Sequence, residues 1–283
     1  MLTAVFWTVT ALAFEAASRR IGSMIVNLLR LLIGFAFLTI FVWFYRGILL
    51  PVDASPHAWF YLILSGLVGF VFGDLCLFQA FVVVGARISM LLMAMAPPMT
   101  ALIGWFVLGE TLSWKSALGM MLTITGIALV VLKRHTAEES NGGFRKVKFN
   151  YPVWGILLGL GGALGQASGL ILSKVGMRGL DTFAATQIRV IAGIAGFSIL
   201  FFIMRLWKDA FMALSNRKPM LQLTLGAFFG PFLGVSFSLI AIKYADAGIA
   251  ATIMALVPVL IIPPSMIIYK EKVTLKEAAE GFR

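Results

Sequence analysis

Long apolar runs separated by short polar gaps fill most of this 283-residue chain. Each run has roughly 17–28 residues, the length that an α-helix needs to cross the hydrocarbon core of a bilayer. Nine such runs can be placed, at about residues 2–18, 24–45, 59–84, 88–108, 116–132, 152–175, 182–206, 220–243 and 248–269. The pattern therefore predicts an all-α integral membrane protein that crosses the bilayer many times.

The apolar pattern occurs twice along the chain. Pro97 precedes Glu110 in one run and Pro258 precedes Glu271 in another, at one common step (258 − 97 = 161 and 271 − 110 = 161). Further identities share that step, among them Gly73 with Gly234, Ile88 with Ile249 and Met93 with Met254. A duplicated helical unit with a proline inside one span is typical of a secondary transporter.

One long polar segment, residues 133–150, divides the two copies. Five predicted spans precede it. Because five is an odd number, the second copy must enter the membrane from the opposite side, so we expect an inverted repeat with its pseudo-two-fold axis in the membrane plane.

Composition and charge narrow the class of protein. Hydrophobic residues make up 60% of the chain and charged residues 12%, which excludes an ordinary soluble domain. The net charge of +11 comes from Lys and Arg in the gaps between apolar runs, where they favour lipid headgroups over nucleic acid as partner. Successive connections between spans lie on alternate sides of the membrane. On this basis 15 of these Lys and Arg residues lie on the same side as the 133–150 connector, and 5 lie on the other side. The positive-inside rule then predicts a cytoplasmic connector and an external N-terminus.

The motif Pro97–Pro98 followed by Gly109-Glu110-Thr111-Leu112-Ser113, with a second copy ending Lys270-Glu271-Lys272-Val273-Thr274, resembles the drug/metabolite transporter superfamily, and within it the EamA-like family. The resemblance implies two inverted five-helix repeats, a substrate cavity between them, a cytoplasmic N-terminus, and transport, often export, of amino acids or other small metabolites. On this basis residues 1–132 are the first repeat, 133–150 a basic connector, and 151–283 a second repeat with four helices, in which the tenth is expected to be missing.

Asp74 is the clearest candidate for a functional residue. It lies 74 − 59 = 15 residues into the third predicted span, or about 20 Å from its start at 1.5 Å per residue. A carboxylate at that depth must face the bundle interior or a partner, and it could carry a proton across the membrane. The alternative is a structural partner for another buried polar group.

Arg30 and Arg189 correspond across the copies (189 − 30 = 159), and a glycine follows each four residues later. They are a candidate symmetric pair that binds an anionic group of the substrate, such as an amino-acid carboxylate. Alternatively, each could extend its guanidinium to the membrane interface.

Glu15 lies in the first span, where the related small multidrug resistance family keeps a proton- and cation-binding glutamate, although a helix-surface pair with Arg19 is an equal alternative. Polar side chains inside other spans could line the pathway or join helices by hydrogen bonds; these are Asn27, Gln79, Gln166 and Gln187. Tryptophans near span ends, Trp7 among them, fit an interfacial belt.

Pro97 and Pro258 are predicted to break their helices and to free the carbonyls of Met93 and Met254 beside a cavity. A simple packing kink is the alternative. Glu110 and Glu271 are interpreted as scaffold residues at helix ends.

Several function classes lack their sequence signatures. The chain has no Walker phosphate loop, no Cys/His cluster for a metal and no set of residues for nucleophilic catalysis, so no cofactor and no enzyme activity are predicted. The prediction is a proton-coupled secondary active transporter, an exporter of amino acids or other small metabolites by alternating access in a bacterial-type inner or plasma membrane. The alternatives are a cation or drug exporter that uses Glu15, and a channel or structural membrane protein.

Overall fold

The computed structural model describes residues 2–111, 114–131 and 152–254, and within these ranges the protein contains helices, turns and no strand. The α-helices are α1 (Leu2–Ile21), α2 (Ser23–Arg46), α3 (Pro56–Gly66), α4 (Asp74–Met93), α5 (Ala96–Leu108), α6 (Trp114–Val131), α7 (Val153–Gly176), α8 (Thr182–Met204), α9 (Trp207–Leu214), α10 (Arg217–Ala227), α11 (Val235–Tyr244) and α12 (Ala247–Met254). The predicted all-α fold is confirmed. Pro258, Glu271 and most of the ninth predicted span lie outside the described residues.

Six helical segments in the described part of the chain are long and apolar enough to cross a membrane. They are Ser23–Arg46, Pro56–Ala80, Ile88–Leu108, Val153–Gly176, Thr182–Met204 and Arg217–Tyr244. Leu2–Ser18 and Ala117–Gly126 are shorter apolar helical segments at the places of the first and fifth predicted spans. The structure thus has helices at eight of the nine predicted spans, and α12 begins the ninth.

The third helix of each repeat contains a π-helical segment of 7 residues. The first π segment is Leu67–Gly73, between α3 and α4, and the second is Phe228–Gly234, between α10 and α11. Both ends are related by the repeat step (228 − 67 = 161 and 234 − 73 = 161). A π turn widens the helix and is frequent at functional sites, and here each segment ends directly before Asp74 or Val235.

The first helix of each repeat packs against helices of the other repeat. Helix α7, the first helix of the second repeat, packs along α3, the first π segment and α4 of the first repeat. Reciprocally, α1 packs along α10 and the second π segment. Helices α2 and α8 pack against each other across the pseudo-two-fold axis. The halves therefore form one interlocked bundle.

This symmetry holds at single residues. Three contacts between α7 and the first repeat recur between α1 and the second repeat, with one partner shifted by 159 residues and the other by 161. The contact of Gly169 with Gly69 corresponds to that of Thr10 with Gly230, and the contact of Gln166 with Gly73 corresponds to that of Trp7 with Gly234. The contact of Ser173 with Ser65 corresponds to that of Phe14 with Gly226. The inverted repeat is thus visible in side-chain contacts as well as in helix order.

The chain reverses direction between Val84 and Leu92. Val84 lies beside Gly155 at the start of α7, and Leu92 lies beside Gly159. Gly104, 12 residues after Leu92, lies beside Ile171, 12 residues after Gly159. The predicted gap at 85–87 falls inside this stretch, where the backbone is helical, and α4 ends at the turn of residues 94–95.

Connections lie at two opposite ends of the bundle. At one end, α9 and the starts of α2 and α10 pack with Ala17 of α1 in a cluster that includes Val26, Ala213 and Leu223. At the other end, the 47–55 connection, the end of α7 and the start of α8 come together; Gln187 of α8 donates to the Leu49 carbonyl there (2.8 Å). The alternation of loops assumed in the charge count is consistent with this arrangement.

Candidate functional site

A small cavity lies between the two repeats, lined by Trp7, Arg30, Phe70 and Asp74 from the first repeat and by Gln166, Leu170, Arg189, Val235 and Ser238 from the second. Its volume is about 20 Å³, which is room for about one water molecule. The structure brings together four residues that the sequence singled out: Asp74, Arg30, Arg189 and Gln166.

Arg30 and Asp74 form a buried ion pair. Arg30 Nη2 donates to Asp74 Oδ2, and the two side chains are 6% and 15% exposed. The Arg30 guanidinium also lies near the rings of Phe14 and Phe78, at 5.5 and 5.6 Å from their centroids. Arg30 thus points inward to a partner, which argues against an interfacial position.

Arg189 is equally buried, but no carboxylate among the described residues forms an ion pair with it. It is 3% exposed, its guanidinium lies 4.8 Å from the Phe70 ring centroid, and its Nε has no hydrogen-bond partner in the described part of the chain. It interacts electrostatically with Asp74, whose oxygen Oδ2 is bound by Arg30. Glycine makes room for it, because a Cβ on Gly69 would lie 3.3 Å from Arg189 Nη2.

Trp7 and Ser238 complete the polar lining. Trp7 Nε1 donates to Ser238 Oγ (3.2 Å), and that hydroxyl donates to the Gly234 carbonyl (2.7 Å). The interpretation of Trp7 as an interfacial residue is wrong, because its indole lies between the repeats. Trp7 is the repeat mate of Gln166 (166 − 7 = 159), and this relation is the signal by which the sequence could have identified it.

Other candidate residues lie elsewhere in the bundle. Gln187 is fully buried and joins α8 to α2 through Thr39 Oγ1 (2.9 Å). Gln79 is exposed on the outer surface of α4. Asn27 is fully buried, and neither of its amide atoms has a hydrogen-bond partner within the described ranges. Glu15 belongs to α1, but its side chain is not among the described parts of the structure.

Pro97 lies in the first turn of α5, buried and directly after the interruption at residues 94–95. Helix α4 thus ends shortly before Pro97, and the role of this break beside a cavity stays a prediction. Neither Pro97 nor Met93 is among the described residues that line the small central cavity. Met254 is the last described residue of α12, so the role of the second break stays a prediction.

Glu110, which follows α5, forms hydrogen bonds with α7 and with the start of α12 at one end of the bundle. Its Oε1 accepts from Lys174 Nζ of α7 (2.6 Å), and its Oε2 accepts from the backbone N–H of Ala247 at the start of α12 (3.0 Å). The same Lys174 donates to the Ala245 carbonyl (2.7 Å). A carboxylate that caps a helix and pairs with a lysine has a scaffold role.

The site thus offers a specific set of groups for a ligand. Among the described side chains that line the cavity there are two guanidinium groups, one carboxylate, an indole N–H, a hydroxyl and an amide. No group of three His, Cys, Asp or Glu residues that could hold a metal occurs in the described part of the chain. The arrangement is suited to binding a small charged or polar molecule and to moving a proton on Asp74.

Comparisons with known proteins agree with this fold. The sequence pattern of the EamA-like transporter family matches residues 1–132 and 153–280. An uncharacterized membrane protein of Saccharomyces cerevisiae (strain ATCC 204508 / S288c) is 24% identical over 190 residues, which are 64% of this chain and 46% of the yeast protein. The chain therefore spans about half the length of this relative. The crystal structure of another protein superimposes with a TM-score of 0.69 at 17% identity, covering 99% of this chain and 91% of that one.

Proposed function

Because the chain belongs to the EamA-like transporter family, we propose that it is a secondary active transporter that exports amino acids or other small metabolites. Membership of the family supports a role as a membrane transporter of the drug/metabolite superfamily; the substrate class, the direction and the driving ion are our further proposal. The proposed substrate site is the cavity lined by Arg30, Asp74, Arg189 and Gln166.

The inverted repeat supports alternating access as the mechanism. When two halves of opposite orientation exchange their conformations, a site between them opens to the opposite side of the membrane. The cavity lies between the repeats and is lined by residues of both. Since its volume of about 20 Å³ admits little more than one water, the proposed cycle requires the cavity to widen before a substrate can enter.

Asp74 is the proposed proton carrier, and its placement is the observation that carries this proposal. It is a buried carboxylate inside the cavity, next to the π segment at which the helix widens. Protonation of Asp74 would release Arg30 from its ion pair, so gain or loss of a proton would be coupled to the charge and the shape of the site. Intramembrane carboxylates serve as proton relays in many transporters.

A flux assay in proteoliposomes tests this proposal. A panel of amino acids and small organic acids would be loaded, and efflux would be followed with and without an imposed pH gradient. We expect at least one substrate whose flux rises with the gradient, and we expect Asp74→Asn to abolish that rise while the protein still inserts into the membrane. Asp209→Asn, on the exposed helix α9, is the matched control and should retain the rise.

If Asp74→Asn transports with an unchanged response to the pH gradient, Asp74 is not the proton carrier. If flux fails to saturate with substrate and needs no gradient or exchange, the protein is a channel, and the transporter proposal is wrong.

A further inference from the structure

The cavity breaks the symmetry of the scaffold at one position. The two arginines are repeat mates, with 189 − 30 = 159, and Asp74 has Val235 as its mate, with 235 − 74 = 161. Arg30 and Asp74 form an ion pair. The same contact in the second repeat would join Arg189 to residue 235, where the side chain is an isopropyl group and cannot accept a hydrogen bond.

The described side chains of the cavity therefore carry an excess of one positive charge. Arg30 is balanced by Asp74, while Arg189 lies against the Phe70 ring and its buried Nε has no hydrogen-bond partner among the residues that the structure describes. A cation–π contact stabilises a guanidinium less than a carboxylate partner does in a buried ion pair. The Arg189 guanidinium therefore favours any anion that can reach it.

We infer that the carboxylate missing from the second repeat is supplied by the substrate, and that the substrate is a small organic monoanion with a carboxylate group. The carboxylate binds Arg189 in the place that Asp74 takes beside Arg30. This inference rests on the proposed function, since it specifies the ligand of the same site.

The charge count distinguishes this substrate class from a zwitterion. A monocarboxylate brings the net charge of the described cavity groups to zero, whereas a zwitterionic amino acid leaves it at plus one and places an ammonium group near two guanidinium groups. The remaining lining is suited to the rest of a small organic acid: Phe70, Leu170 and Val235 are apolar, and the Ser238 hydroxyl and the Gln166 amide can bind a further polar group.

Position 235 also provides the test. The Val235→Asp variant would restore the missing carboxylate next to Arg189 and compete with the substrate, while Val235→Asn has nearly the same shape without the charge. Both variants place a polar side chain at the same buried position, so their difference isolates the charge. Arg189→Gln removes the cation itself, and Arg205→Gln, on an exposed arginine at the end of α8, is its control.

The experiment measures ligand-dependent thermal stabilisation of the full chain in detergent, at constant ionic strength, with sodium salts of straight-chain monocarboxylates from formate to hexanoate and of benzoate. The 2-amino acids and the amines of matched chain length are tested in the same way, as the zwitterionic and cationic ligands for comparison. We expect saturable stabilisation by at least one monocarboxylate, and weaker or absent stabilisation by the matched zwitterion and cation.

For the same monocarboxylate, we expect Val235→Asp to weaken apparent affinity roughly tenfold to a hundredfold relative to Val235→Asn, since a charge-assisted hydrogen bond is lost. Arg189→Gln should do the same relative to Arg205→Gln. Equal affinities of the two Val235 variants, preference for the zwitterion, or no saturable effect of any monocarboxylate would overturn the inference. Saturable, gradient-driven flux of a zwitterion in the liposome assay would leave the transporter proposal standing while this inference fails.

Discussion

At the scale of single residues, the arrangement of charges in the cavity is the main finding. Arg30, Asp74 and Arg189 could be predicted from the sequence, because a charged side chain inside a span must face the interior or a partner. Their asymmetric pairing could not be predicted, because sequence positions do not show which of two equivalent arginines the carboxylate contacts. Trp7 and Ser238 escaped prediction because tryptophan and serine are common in membrane helices for other reasons.

A double-mutant cycle on the buried pair is a prediction at this scale. Asp74→Asn leaves the Arg30 guanidinium unpaired, so we expect the free energy of unfolding to fall by roughly 3–5 kcal/mol. The double variant Arg30→Gln/Asp74→Asn removes both charges and should recover much of that loss. Thermal or denaturant unfolding in detergent measures both changes. Additive losses in the double variant would show that the two side chains are not coupled in the folded protein.

At the scale of elements, glycines determine how closely the repeats approach. A Cβ on Gly165 of α7 would lie 2.6 Å from the Gly73 Cα, and a Cβ on Gly169 would lie 3.0 Å from the Gly69 Cα. Gly69 and Gly73 are four residues apart, as are Gly165 and Gly169, and small residues at this spacing let helix backbones approach each other closely in lipid. The π segments could not be predicted, because residues 67–73 and 228–234 look like ordinary apolar helix.

Gly165→Ala tests the close contact between α7 and the first π segment. Because the added methyl group would meet backbone atoms, α7 must move away, and we expect a loss of roughly 1–3 kcal/mol in stability. Gly126→Ala in α6 is the control, since a Cβ there meets no atom of the described residues within 4 Å, and alanine has the higher helix propensity. A melting temperature of Gly165→Ala equal to that of Gly126→Ala would contradict the described packing.

At the scale of the whole molecule, the inverted architecture could be predicted from the odd number of spans before the connector. The interlocked packing of α1 and α7 on the opposite repeats could not, because the order of spans does not specify which of them touch. The charge count and the family resemblance also predict opposite orientations in the membrane. The structure places Val52 and Asn216 in connections at opposite ends of the bundle, so these positions can decide the question.

Labelling of single cysteines measures the orientation. In a Cys76→Ser background, Val52→Cys and Asn216→Cys would be treated with an impermeant maleimide, before and after permeabilisation of cells. The excess of Lys and Arg near Asn216 predicts that Val52→Cys reacts from outside and that Asn216→Cys reacts only after permeabilisation. The reverse result would support the orientation that the family resemblance implies. Labelling of both from one side would contradict the fold.

Because the repeat mate of Asp74 is Val235 and not a second acid, the proposed transport should differ between the two sides of the membrane. If the scaffold and its charges were fully symmetric, the inward-open and outward-open forms would hold cargo equally well. If the proposed alternating access is right, Asp74 on one half would surround the substrate with different groups in the two openings, so half-saturation concentrations measured from the two compartments should be unequal. The equilibrium distribution of cargo would still follow the imposed gradients alone, as thermodynamic reciprocity requires.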